Sequence, residues 1–145
     1  MSSPFRRRPR LAALAWTGVV IYSAFIFYLS SQSYLPHPLK DVPFEDKFMH
    51  TGAYSIWGLL FSLALAATWP GLRPGLTLLL AVLAGVLYGA SDEYHQSFVP
   101  NRTCDLNDLG ADTLGSFLGA GLHALWRYRN WARRRQAPGG ESPRS

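Results

Sequence analysis

Four long runs of apolar residues dominate the pattern of hydrophobic and polar positions along the chain. They span residues 11–29, 49–69, 73–91 and 106–126, and the first contains no charged residue. Each run approaches the ~20 residues, about 30 Å of helix, needed to cross the hydrocarbon core of a bilayer. Because lipid offers no hydrogen bonds to the backbone, such runs form helices rather than strands. The pattern therefore predicts an all-α fold, an integral membrane bundle of four transmembrane helices.

Two alternatives to this bundle depend on the length and the flanks of the runs. A water-soluble bundle would need long buried helices, and runs this long with so little charge are uncommon in soluble folds. The first run could instead be a cleaved signal peptide, since Arg6, Arg7, Arg8 and Arg10 precede it. It is longer than the roughly 7–15 apolar residues typical of signal peptides, and no A-x-A site follows. We therefore expect a retained membrane anchor.

The distribution of charge predicts the orientation in the membrane. Four arginines precede the first run and six follow the last, whereas eight of the nine acidic residues lie in segments 30–48 and 92–105 or in the first turns of the helices that follow them. By the positive-inside rule both termini are cytoplasmic and these two segments face outside. The net charge of +5 therefore reflects topology, and we expect no nucleic-acid partner.

The chain of 145 residues has the length of one domain. We divide it into a basic cytoplasmic N-terminus (1–10), a transmembrane domain (11–128) and a basic, disordered cytoplasmic tail (129–145). The prediction for the tail follows from its content of Arg, Pro and Gly. Membrane lipid is an expected partner of the apolar surface.

One window between the third and fourth runs concentrates the polar residues. Residues 92–112 contain five carboxylates, a histidine, an arginine and a glutamine. Such groups are costly outside water unless they are paired or used. We therefore predict a ligand-binding site at the outer membrane face. Its expected members in this window are Asp92, Glu93, Gln96, Arg102, Asp105, Asp108 and Asp112.

The second helix adds a polar stripe to this site. Asp46, His50 and Tyr54 are spaced i, i+4 and i+8, so they share one helix face, and Lys47 lies beside them. A purely structural interpretation is available for Asp46 and Lys47, which could simply begin the helix at the interface. His50 lies one turn deeper and needs a partner.

The fourth helix carries a second stripe, because Asp105, Asp108 and Asp112 are spaced i, i+3 and i+7. Asp105 also fits a helix N-cap, and Asp108 an acidic first turn, which the helix dipole favours. Asp112 lies about 10 Å below Asp105 along the axis, beneath the interface, where an unpaired carboxylate is costly. His123, near the other end, is expected at the membrane interface.

Two ladders of small residues predict close helix packing. They are Ala81, Gly85 and Gly89 on the third helix, and Ala111, Gly115 and Gly119 on the fourth. If the ladders face each other, the acidic ends of the two helices meet. A homo-oligomer contact would explain the same ladders.

The sequence does not require a metal or a cofactor. Its single cysteine, Cys104, excludes an intrachain disulfide and a multi-cysteine metal site. A divalent metal held by His50 and carboxylates is conceivable, but no spacing demands one. We therefore predict neither a metal nor a cofactor.

Three motifs resemble the VanZ-like family of bacterial membrane proteins, named for a teicoplanin resistance factor. The first is Tyr28-Leu29-Ser30-Ser31-Gln32, and the second is Asp46-Lys47-x-x-His50-x-x-x-Tyr54. The third and most specific is Asp92-Glu93-x-x-Gln96-x-Phe98-x-Pro100-x-Arg102-x-x-Asp105-x-x-Asp108, continuing to Gly115 and Gly119. The resemblance covers residues 25–120. It implies a multi-pass protein of the bacterial cytoplasmic (inner) membrane, with residues 11–128 as its VanZ-like domain.

The chain departs from the family pattern at two positions. Asn101 stands where the family commonly has glycine, and asparagine tolerates a left-handed turn better than most residues. Asp112 stands where asparagine is common, which adds a proton or a charge to the site.

Three functions are compatible with this pattern. In the first, the outer site binds a cell-envelope ligand, such as a lipid-linked wall precursor or a lipoglycopeptide, with Tyr94, Phe98 and Tyr54 supplying apolar contacts. In the second, a membrane enzyme acts on a lipid-linked substrate, with Asp92, Glu93, Asp108 and His50 as the acid/base candidates and Arg102 holding a phosphate. In the third, the groups form an ion-pair network that only stabilises the bundle. We favour the first, because no arrangement of nucleophile and base is evident.

Overall fold

The computed structural model describes residues 9–34 and 45–136, and these residues form four α-helices without strands. The helices are α1 (Pro9–Ser30), α2 (Glu45–Thr68), α3 (Pro74–Gln96) and α4 (Leu106–Gln136). The all-α prediction is therefore confirmed. Most of the basic N-terminus, part of the segment after α1 and the end of the tail lie outside the described residues.

Three helices, α1, α2 and α3, are long and apolar enough to cross a membrane, which fits a multi-pass membrane protein. The fourth helix has 31 residues, but glycines and the polar Asp112 and His123 lower its average hydropathy. It also continues through residues 129–136, which the sequence pattern assigned to a disordered tail. The first proline after Trp126 is Pro138, so nothing in this stretch interrupts the helical backbone.

Many polar side chains lie inside the bundle beside a small apolar core, and many large apolar side chains lie outside. Ser62, Thr77, Asp112 and Ser116 are fully buried. Large apolar side chains point outward on every helix; Leu87, for example, is 73% exposed. Water-soluble folds bury such apolar residues. This distribution therefore suits a hydrocarbon environment.

Helices adjacent in sequence run antiparallel, so α2 is parallel to α4 and α1 is parallel to α3. The indole of Trp16 near the start of α1 donates to Thr68 Oγ1 at the end of α2, at 2.9 Å. At the opposite end of the bundle, Ser31, just after α1, is hydrogen-bonded to His95 of α3. The most extensive helix pair is α2 with α4.

Glycines explain why α2 and α4 approach so closely. A Cβ at Gly115 would overlap the Thr51 carbonyl of α2, and one at Gly119 would overlap the Ser55 carbonyl. The ladder of α4 therefore faces α2 rather than the ladder of α3, contrary to the arrangement considered from the sequence. The ladder of α3 does face α4, where Gly89 contacts Asp112.

The two ends of the bundle differ in composition, and they are called the polar end and the basic end. The polar end contains the end of α1, the start of α2, the end of α3, the connection 97–105 and the start of α4. The basic end contains the start of α1, the connection 69–73 and the last turns of α4, with Arg10, Arg73, Arg127, Arg129 and Arg133. Most charged groups of the described chain are therefore separated by sign: the acidic residues lie at the polar end and most arginines lie at the basic end.

Candidate functional site

The connection between α3 and α4 has a backbone that its sequence can adopt. Asn101 has a φ of 64°, the left-handed conformation expected where the related family has glycine. Four residues later, Asp105 caps α4, because its Oδ1 accepts a hydrogen bond from the backbone N–H of Asn107 at 2.8 Å. The capping role considered for Asp105 is therefore confirmed. The turn and the cap together fix where α4 begins beside α2.

The first group of charges at the polar end surrounds Lys47. Its ammonium donates to Asp46 Oδ2 at 2.9 Å, to Asp105 Oδ2 at 2.7 Å and to Asp108 Oδ1. The hydrogen bond from Lys47 also holds the pKa of the Asp105 carboxyl below its usual range. These four residues are called the Lys47 cluster. Each carboxylate has a cationic partner, so the cluster joins the starts of α2 and α4.

A second group lies deeper and joins three helices. His50 Nδ1 of α2 is 2.9 Å from Asp112 Oδ1 of α4. Glu93 of α3 completes the group, and one donor atom from each of the three residues lies within 4.8 Å of the others. These residues are called the His50 cluster. His50 and Asp112, which the sequence analysis expected to need partners, are therefore paired with each other.

The His50 cluster differs from the Lys47 cluster because some of its oxygens have no partner. Glu93 Oε2 accepts a hydrogen bond from the Asp105 N–H at 2.8 Å, but Oε1 is buried without one. Asp112 likewise binds His50 through Oδ1 and leaves Oδ2 buried and unpartnered. A buried polar atom without a hydrogen bond costs about 1–3 kcal/mol, and a charged one more. Glu93 Oε1 and Asp112 Oδ2 are therefore available to accept a hydrogen bond from a bound molecule that is not part of the chain.

Asp92 and Gln96 form a pair one turn apart on α3. Gln96 Nε2 donates to Asp92 Oδ2 at 3.1 Å, and both side chains are buried. The other oxygen, Asp92 Oδ1, is buried without a partner, as is the hydroxyl of Tyr54. Tyr54 is 1% exposed and packs beside Trp57 and Tyr88, so it belongs to the aromatic core rather than to the rim expected from the sequence.

Arg102 is the cation of the polar end that has no carboxylate partner among the described residues. Its side chain is half-buried, and its Nε is buried without a hydrogen bond. Nearby in sequence, Tyr94 and Phe98 are 69% and 68% exposed, and their rings meet edge to face at 5.1 Å. A guanidinium with unused donors can bind a carboxylate or a phosphate, and exposed aromatic rings can cover an apolar chain.

Sequence reasoning missed two histidine contacts. His95 stacks on Phe27, with 4.4 Å between the ring centroids, and is hydrogen-bonded to Ser31. These two contacts attach the end of α1 to the end of α3. His123 was expected at the interface, but it is buried and lies 2.6 Å from Ser62 Oγ through its Nδ1. Its spacing of i+11 from Asp112 puts it on the same face of α4, a signal that could have predicted burial.

Comparisons with known proteins add the following findings. A family model described as VanZ/LLP1 matches residues 11–127. An uncharacterized protein of Schizosaccharomyces pombe is 32% identical over 110 residues, which cover 75% of this chain and 65% of the yeast protein. The aligned part of the chain thus spans less than two thirds of that relative. No solved structure matches the chain.

Proposed function

The chain belongs to the VanZ/LLP1 family, and we propose that its polar end binds a ligand of the cell envelope. The observation that carries the proposal is the set of buried polar atoms without partners at this end. Besides the hydroxyls of Ser30 and Tyr54, they include four atoms of ionisable groups: Asp92 Oδ1, Glu93 Oε1, Asp112 Oδ2 and Arg102 Nε. A site of this kind offers acceptors for donor groups of a ligand and one cation for an anionic group.

A purely structural network accounts less well for this arrangement. The Lys47 cluster already joins α2 to α4 with all of its carboxylates paired. The deeper carboxylates add desolvation cost, and two of their oxygens have no partner within the described fold. Binding of a ligand gives these groups a use that the fold alone does not.

The chemistry of the rim favours an amphiphilic ligand. The guanidinium of Arg102 suits a phosphate or carboxylate head, and Tyr94 and Phe98 suit an attached apolar chain. Lipid-linked wall precursors and lipoglycopeptides combine these features. The resemblance to a family named for a teicoplanin resistance factor adds to this proposal a contribution to teicoplanin tolerance, in a bacterial cytoplasmic membrane.

The proposal places the polar end outside the cytoplasmic membrane. The 31 residues of α4 extend about 46 Å, which exceeds a hydrocarbon core of about 30 Å. Its outward residues Leu114, Phe117, Leu118 and Leu122 are exposed, as in a lipid-facing helix. With α4 as a fourth crossing, both termini lie at the basic end, which the positive-inside rule puts in the cytoplasm.

Labelling of Cys104 tests this orientation. The residue is an exposed free cysteine at the polar end, and the chain contains no other cysteine. A membrane-impermeant maleimide should label it in intact cells, and a Cys104→Ser variant should remain unlabelled. Labelling that occurs only after permeabilisation would reverse the orientation.

Two variants test the function itself. Asp92→Asn and Arg102→Ala should each lower teicoplanin tolerance in cells that express the chain, because each removes a ligand contact. Arg129→Ala, an exposed arginine at the basic end, is the matched control. Quantitation of folded protein in membranes must accompany the assay. Loss of folded protein in parallel with tolerance would support the structural network instead.

An enzymatic function is the second candidate, and one contact favours it. Asp112 accepts a hydrogen bond at 2.9 Å from His50 when Nδ1 carries a proton, which would orient the imidazole as a general base. The test is incubation of purified protein with lipid-linked precursors and mass spectrometry of the products. A new product that is absent with His50→Gln would establish turnover, whereas an unchanged lipid pool with the wild-type protein would exclude it for these substrates.

A further inference from the structure

The His50 cluster has the composition of a metal site although its members are distant in sequence. His50, Glu93 and Asp112 come from three different helices, and one nitrogen and two carboxylate oxygens lie within 4.8 Å of one another. Metal bonds of about 2.0–2.2 Å would bring tetrahedral ligand atoms to separations of about 3.4 Å. The ligand atoms would therefore have to approach one another by up to about 1.4 Å when the ion binds.

The two acids of the His50 cluster each have a buried oxygen without a partner. Glu93 is 3% exposed and Asp112 is fully buried, yet each leaves one oxygen without a hydrogen bond. The opposite oxygen of Glu93 is held in place by the Asp105 N–H, and hydrogen bonds of this kind typically orient metal-ligating side chains. Asp112 Oδ1 lies 2.9 Å from His50 Nδ1, so the carboxylate is already beside the nitrogen with which it would share the ion. On metal binding this nitrogen would give up the proton that it shares with Asp112.

Charge balance gives a cation a further role. Lys47 is already engaged by three carboxylates of its own cluster. Among the described contacts of Glu93, Asp112 and the nearby Asp92, the imidazole of His50 is the only group that can carry a positive charge. Buried charges of one sign are tolerated when they are paired or when they coordinate a metal.

We propose that His50, Glu93 and Asp112 bind one divalent transition-metal ion, zinc or manganese. Imidazole together with carboxylates suits these ions better than calcium or magnesium, which favour oxygen ligands alone. Three protein ligands leave at least one coordination position for water or for an oxygen of another molecule. His50 keeps 17% of its side chain exposed. The ion would take up Glu93 Oε1 and Asp112 Oδ2, and an envelope ligand would then be left with Asp92 Oδ1, Arg102 and the open position on the ion. Metal binding by these residues does not require that ligand.

The chemistry of residue 112 bears on this site. A carboxylate supplies charge and is a stronger metal ligand than an asparagine amide. The metal affinity of this chain should therefore fall sharply in Asp112→Asn. The same change preserves the side-chain shape and an oxygen for His50, so the fold should be retained.

The test uses the full chain in detergent, stripped with a chelator and then titrated calorimetrically with ZnCl₂ and with MnCl₂. We expect one ion per chain, and an affinity lowered more than about 100-fold in Glu93→Gln and in Asp112→Asn. Two matched controls should bind as the wild type does. Cys104→Ser removes the exposed thiol, and His123→Gln removes the buried histidine of the basic end.

Cobalt substitution provides a second measurement on the wild-type chain alone. Bound Co²⁺ should give visible absorption bands that zinc displaces, and either ion should raise the Tm of the stripped protein. These results do not require any variant to fold. Absence of stoichiometric binding to the wild type, or equal binding by wild type and Asp112→Asn, would overturn the site. Such a failure leaves the binding of an envelope ligand testable through Arg102→Ala.

Discussion

The two ends of the bundle treat buried polar groups differently. At the basic end, the His123 imidazole is paired with Ser62, and the Arg127 guanidinium donates to Thr77 Oγ1 and to the carbonyls of Pro70 and Leu72. At the polar end, Glu93 and Asp112 each leave one buried oxygen unpartnered. Among the described residues, the polar end therefore keeps buried carboxylate oxygens without partners, whereas the buried His123 and Arg127 of the basic end are hydrogen-bonded.

This difference separates stabilising groups from functional ones. Arg127 closes the connection between α2 and α3, so its contacts have an evident structural role. The unpartnered oxygens of the polar end cost free energy in the absence of a ligand. Proteins commonly retain such costs at binding sites, where stability is lower than it could be. Substitutions of Arg127 and of an acid with an unpartnered oxygen, such as Glu93, should therefore change stability in opposite directions.

The largest effect should come from Gly119→Ala, which should destabilise the polar end and the basic end together. A Cβ at this position overlaps the Ser55 carbonyl, and a backbone atom cannot move aside cheaply. Separation of α2 from α4 should lower the free energy of unfolding by about 3 kcal/mol or more. SDS titration measures the change. Gly110→Ala, where the added Cβ meets open space, is the matched control and should differ little from the wild type.

Arg127→Ala should give the next largest effect and should confine it to the basic end. Loss of its hydrogen bonds leaves the Pro70 and Leu72 carbonyls without this donor, and we expect a loss of about 2–3 kcal/mol. Arg129→Ala, an exposed neighbour, should change stability by less than about 0.5 kcal/mol. Equal unfolding midpoints for the two variants would contradict the structural role given to Arg127.

Glu93→Gln should show the opposite sign at the polar end. The amide keeps an oxygen for the Asp105 N–H, removes a buried charge and supplies donors for the neighbouring carboxylates. In metal-free buffer we expect stability that is unchanged or raised by up to about 1 kcal/mol. The same SDS titration measures it. A loss similar to that of Arg127→Ala would place Glu93 among the stabilising groups.

The smallest effect should come from Asp105→Asn in the Lys47 cluster. Asparagine also caps helices well, so this variant removes the ion pair and keeps the cap. Since the pairing lowers the pKa of Asp105, its stabilising effect is present above about pH 4, the usual range of this group, and disappears as the pH falls through the lowered value. The Tm difference between wild type and variant should therefore be small at pH 7 and vanish in strong acid.

Three of the four predicted spans, α1, α2 and α3, could be predicted from the sequence because their pattern depends only on composition. Length and apolarity identify α1, α2 and α3 without any knowledge of their neighbours. The limits of α4 were harder to predict, because its buried face carries glycines and polar residues and its last turns are rich in arginine. Average hydropathy cannot distinguish a polar face turned inward from a helix that lies in water.

The candidate site was predicted in outline by register. Helical spacing grouped Asp46 with His50, and Asp105 with Asp108 and Asp112, since side chains three or four residues apart share a face. Helical spacing does not determine which helix faces contact each other. The pairing of Lys47 with Asp105 and the contact of the small residues of α4 with α2 could therefore not be predicted from it.

By itself the sequence determined an all-helical chain, the separation of acidic and basic ends, and the residues available for a polar site. These properties follow from local composition and from the 3.6-residue period of a helix. Only the tertiary structure decided which carboxylates are paired and which remain available. That outcome depends on contacts between residues more than 50 positions apart, such as Lys47 with Asp105 and His50 with Asp112. Close backbone packing at Gly115 and Gly119 sets the distance across which those side chains meet.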